Sequence, residues 1–121
     1  MLTMTTDDAA GLVEITVDGT ITAQDFDRVA AELERLLETH RQLNVVEVIR
    51  GYTPTFDPAL WWRDISWGFG NVHRFARAAV VTDSGWIGPV ARAVGALMPA
   101  EIRTFPLAEL DAARLWAAER R

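Results

Sequence analysis

The chain has 121 residues, half of them hydrophobic, with a formal charge of −5, no lysine and no cysteine. Its length suits one core rather than two ordinary domains, and the missing thiols exclude disulfides and thiolate metal sites. The acidic balance argues against a nucleic-acid binder, which needs basic patches to neutralise phosphates.

The N-terminus, Met1 to Asp8, has neither a basic region nor a long apolar run, so it does not read as a signal peptide. No segment is long enough to span a bilayer. The expectation is one soluble cytoplasmic domain over residues 1–121. Leu2 to Thr6 is a short candidate strand, and Asp7 to Gly11 a turn. Leu12 to Val17 alternates as a strand with one buried face, closed by Asp18-Gly19. The two strands predict a hairpin.

Thr22 is an N-cap candidate, with Asp25 as the acidic half of a capping box. Phe26, Val29, Ala30, Leu33, Leu36 and Leu37 then form one apolar stripe, which predicts a helix from about Ala23 to His40. Val45 to Ile49 is a β-branched strand, and Arg50 to Phe56 reads as a loop. Asp57-Pro58 opens a second helix, with Trp61, Ile65, Phe69, Val72 and Phe75 on one face. Gly68 and Gly70 weaken its middle.

Ala78 to Thr82 is a continuous apolar run, expected as the central strand covered on both faces. A helical stripe from Ile87 to Met98 follows, with Pro89 in its first turn. Glu101 to Phe105 alternates as an edge strand stopped by Pro106. Ala108 to Glu119 reads as a closing helix with Leu110, Ala113, Trp116 and Ala117 inward. The order β-β-α-β-α-β-α-β-α predicts an α/β fold. Its five-stranded sheet is mixed and mostly parallel, antiparallel only in the first hairpin.

These residues in this order resemble the SpoIIAA-like proteins of the STAS superfamily, in a bacterial branch of uncharacterised function. The resemblance is carried by Gly19-Thr20-Ile21-Thr22 with Asp25-Phe26, by Glu47, and by Trp61 and Asp64. It continues through Phe75, Ala79-Val80-Val81, Trp86, Phe105, Ala113 and Trp116. It implies a mixed sheet with helices packed on it, and a shape approaching the lipid-carrying CRAL-TRIO domains. The family's phosphorylated serine would fall between Arg50 and Thr55, where Thr53 and Thr55 are the only small hydroxyls. The phospho-switch is therefore not carried over. Asp83-Ser84-Gly85 lies one strand too late for it and reads as a helix cap.

No catalytic constellation is legible. His73, Ser84 and Asp83 lack a nucleophile elbow, and Asp83 adjoins Ser84 rather than orienting the histidine. His40 and His73, expected at helix ends, form no metal motif with any carboxylate cluster. Neither a cofactor nor a metal is implied. Glu47 inside Val-Val-Glu-Val-Ile is a candidate buried carboxylate, with Arg50, Arg77 or Arg103 as its partner. Its alternative is a semi-exposed strand residue. Five tryptophans are many for this length, and Trp61, Trp62 and Trp67 fall within seven positions. Trp67 projects about 240° from Trp61 on a helix, so one sheet does not bury both. The candidate binding surface is therefore Tyr52, Phe56, Trp61, Trp62, Ile65, Trp67 and Phe69. Two functions fit. One is a non-enzymatic binding or regulatory module, homodimeric and acting by protein contact. The other is a carrier of a small apolar ligand held between the second helix and the sheet.

Overall fold

The computed structural model describes residues 2–7, 9–52, 72–83, 85, 89, 92, 93, 96 and 101–119. Five strands form one sheet in the order β1-β2-β3-β4-β5. They are β1 (Leu2–Asp7), β2 (Leu12–Gly19), β3 (Leu43–Tyr52), β4 (Phe75–Thr82) and β5 (Glu101–Phe105). β1 pairs antiparallel with β2, and the other three pairings are parallel. The mixed, mostly parallel α/β sheet expected from the order of elements is what forms.

The hairpin turn works because Gly11 takes φ 63°, a region where a Cβ is strained, and because the Ala10 amide donates to Asp7 Oδ1 at 3.2 Å. Helix α1 (Ala23–Leu37) starts at a complete capping box. The Asp25 amide donates to Thr22 Oγ1 at 3.1 Å, and the Thr22 amide donates to Asp25 Oδ2 at 3.2 Å. That second bond holds the Asp25 carboxyl below its ordinary pKa, with the Thr22 hydroxyl contact next and Arg28 adding less. The sign follows from linkage: a depressed carboxyl contributes stability above its unfolded pKa and loses it as pH falls through the folded one. Thr22→Ala is expected to cost about 1 kcal/mol at pH 7. Urea unfolding at pH 7 and at progressively lower pH checks this, and the cost should shrink as Asp25 protonates.

Strand alternation divides the core in two. On one face Val29, Leu33, Leu36 and Leu37 of α1 pack with Leu2, Val13, Val17 and Leu43. On the other, Ala113 and Ala117 of helix α2 (Leu110–Ala118) pack with Val46, Val48, Ala79, Val81 and Phe105. The alanines at 79, 113 and 117 are fully buried, and small side chains on the inner face of α2 let it lie close on the sheet. A 3-10 turn, Leu107–Glu109, leads into α2. Arg114 reaches across to β2 and donates to both Glu14 carboxylate oxygens, at 2.6 and 2.9 Å.

Three boundaries differ from the sequence expectation. Ala78 to Thr82 belongs to an interior strand, but the middle strand is β3, because β5 adds on the far side of β4. Arg50 to Tyr52 are not loop: β3 continues, with Gly51 and Tyr52 level with Asp18 and Gly19 past a bulge at Arg50. A Cβ on Gly51 would stand 3.1 Å from Asp18 Oδ1, so this edge is closely fitted. Phe75 does not end a helix. It opens β4, after a 3-10 turn over Val72–Arg74. Of the helix expected after β4, the Ala96 amide donates to the Arg92 carbonyl at 3.1 Å. The apolar stripe expected there lies outside the described residues.

Candidate functional site

The chain leaves the sheet at Tyr52 and re-enters it at Phe75, at opposite ends of two neighbouring parallel strands. Of the residues expected to form the binding surface, Tyr52 closes β3, its backbone level with Gly19. Phe56, Trp61, Trp62, Ile65, Trp67 and Phe69 lie outside the described residues, as does Ser84.

Glu47 is half-buried rather than fully buried. Its flanks Val46 and Val48 are buried against α2, at 0 and 1% exposure. Alternation therefore turns Glu47 to the other face, level with Ile15 and Val80. The apolar run around it in sequence is mostly not its surroundings in space. Arg77, one of its expected partners, has other engagements.

Arg77 is the buried ion among the described residues. It is 9% exposed and sits after a bulge between β3 and β4, where Asn44 Oδ1 accepts its amide at 3.0 Å. Its Nε donates to Glu101 at 3.1 Å, and its Nη1 to Glu119 at 2.9 Å and to the Trp116 carbonyl at 2.7 Å. The guanidinium also lies 4.9 Å from the centre of the Trp116 ring. That ring in turn meets Phe105 at 6.1 Å. One side chain thus joins β4, β5 and the end of α2. The Asp83 carboxylate does a similar job from the end of β4. Asp83 Oδ1 accepts the Leu107 amide at 3.0 Å, so it caps the turn that opens the C-terminal helix. The sequence reading assigned this aspartate to the helix directly after its own strand.

The structure also joins two residues that the sequence kept apart. His40 follows α1 just before β3, and His73 lies just before β4. Because β3 and β4 run parallel side by side, the approaches to their N-terminal ends are neighbours. Both histidines line one open cleft of about 520 Å³, with Leu37, Glu38, Thr39, Arg41, Gln42 and Arg74. Arg74 donates to the Leu37 carbonyl at 2.9 Å and Gln42 Nε2 to the His73 carbonyl at 3.2 Å. The signal for this pairing was present in the element order, since parallel neighbours bring their leading segments together. Among the described residues, no three metal-ligating side chains come together, and no helix is long and apolar enough to cross a membrane.

A family model described as SpoIIAA-like matches residues 12–118. The chain belongs to the SpoIIAA-like family. It is the family the sequence resembled. No curated protein matches the chain. Among solved structures, this SpoIIAA-like chain is similar to an uncharacterised protein of the DUF3478 family from Shewanella loihica PV-4, described as having a SpoIIAA-like fold. The TM-score is 0.74 at 16% identity, covering 97% of this chain and 92% of that one. At that identity the likeness shows the fold.

Proposed function

We propose that this SpoIIAA-like chain is a non-enzymatic binding or regulatory module. It acts through protein contact, as a homodimer, in the cytoplasm. The observation that carries the reading is the family match along nearly the whole chain, because SpoIIAA-like and STAS folds are often protein-interaction modules. The tryptophan-rich segment supplies the contact surface in this reading: Tyr52, Phe56, Trp61, Trp62, Ile65, Trp67 and Phe69. Aromatic anchors of this kind dominate the energy of many interfaces.

Trp67 is the residue to test, since it falls off the apolar stripe that contains Trp61. Trp67→Ala is expected to weaken self-association by about 2 kcal/mol and to leave monomer unfolding nearly unchanged. Trp61→Ala is expected to act on the fold instead. Sedimentation and urea unfolding of both variants separate the two effects. If Trp67→Ala destabilises the fold as Trp61→Ala does and leaves association intact, the contact surface is elsewhere. Native mass spectrometry of the purified chain adds a second arm. A clean dimer supports the module, and a co-purified apolar ligand makes the chain a carrier.

A further inference from the structure

The cleft at the N-terminal ends of β3 and β4 concentrates positive charge in a chain whose formal charge is −5. Its lining holds two arginines and two histidines against one carboxylate, Glu38. Neither Arg41 nor Arg74 makes an ion pair among the described residues, with Glu38 or any other carboxylate. Arg74 commits one N–H to Leu37, and a guanidinium has five donors in a rigid fork.

One term opposes an anion here, because the cleft lies at the C-terminal end of α1, the negative end of its dipole. That end is already answered within the protein. Arg74 meets the Leu37 carbonyl, and the amides of Thr39 and His40 donate to the Leu36 carbonyl at 3.2 and 3.0 Å. The hairpin turn also abuts the cleft: a Cβ on Gly11 would stand 3.6 Å from His40 Nδ1. The Asp7 carboxylate of that turn accepts the Ala10 amide.

We propose that this cleft binds a small phosphate monoester, gripped by the Arg41 and Arg74 guanidinium groups. His40 and His73 line the same cleft and add ring N–H donors beside them. A monoester suits the lining because it is close to a dianion at neutral pH and offers three acceptor oxygens. A monocarboxylate brings one charge to four basic groups. This site is independent of the protein-contact reading above.

Amide NMR of the whole chain tests the proposal, with phenyl phosphate, benzoate and sulfate as probes. Phenyl phosphate should shift resonances at residues 39–42 and 73–74 and bind more tightly than benzoate. Sulfate, a dianion with the same kind of acceptor oxygens, should shift the same resonances. Arg41→Glu should weaken phenyl phosphate about tenfold, the size of one charge-assisted hydrogen bond. The remaining amide spectrum shows that this variant is folded. Shifts elsewhere, equal affinity for benzoate, or full affinity in Arg41→Glu would overturn the assignment.

Discussion

Leu36→Ala is expected to lower the unfolding free energy by about 4 kcal/mol. Leu36 is 1% exposed and sits in the cluster that joins α1 to β1, β2 and the start of β3. Truncation removes the transfer energy of three carbons and leaves a cavity whose walls are fixed. Two of those walls are strands in the sheet ladder, and the third is a helix pinned at both ends. The Thr22–Asp25 box holds its start, and Arg74 holds the Leu37 carbonyl at its end. The site therefore collapses little, which places the loss near the upper part of the usual range. Leu115→Ala is the control. Leu115 is 73% exposed on α2, and its truncation should change stability by no more than about 0.5 kcal/mol. Urea unfolding of both variants measures the difference. A loss below about 1.5 kcal/mol for Leu36→Ala would mean that α1 is not packed on the sheet as described.

Arg77→Ala is the next largest expected effect, at about 3 kcal/mol. The loss has three parts: the Trp116 carbonyl keeps only the Glu119 amide of its two donors, the Trp116 ring loses its cation, and a void opens under the stem. The carboxylates of Glu101 and Glu119 add less, because they are 47 and 65% exposed and water solvates them when the arginine goes. Glu101→Gln should therefore cost less than about 1 kcal/mol. Arg77→Met keeps the apolar stem and should recover part of the alanine loss. Urea unfolding of the three variants measures these differences. If Glu101→Gln equals Arg77→Ala, the ion pair rather than the packed guanidinium holds this corner.

Local chemistry made much of the fold legible. The stripe from Phe26 to Leu37 has one periodicity and one reading. The capping box is written by Thr22 and Asp25 alone, because a cap needs only residues three apart. The β-branched runs and the alternation of strand and helix imply parallel pairing, whose physical basis is the long crossover that parallel neighbours require. Composition and motif spacing narrowed the chemistry, and particular residue types in order along the chain led to the SpoIIAA-like family.

What depends on residues far apart in sequence was settled only by the tertiary structure. Glu47 looked enclosed by its apolar neighbours, but Val46 and Val48 occupy the opposite face of the strand, and Glu47 is half-buried. Arg77 looked like its partner, yet bulge and register turn Arg77 toward α2. Asp83 reads as the cap of the next helix, and its Oδ1 also accepts the Leu107 amide, beyond an intervening strand. The same holds for His40 and His73: each alone is an ordinary helix-end residue, and they share a cleft because β3 and β4 are parallel neighbours. Periodicity determines which face of an element is apolar, since that depends on local geometry. Which polar group meets which depends on strand order and register, and these come from the packing of the whole chain.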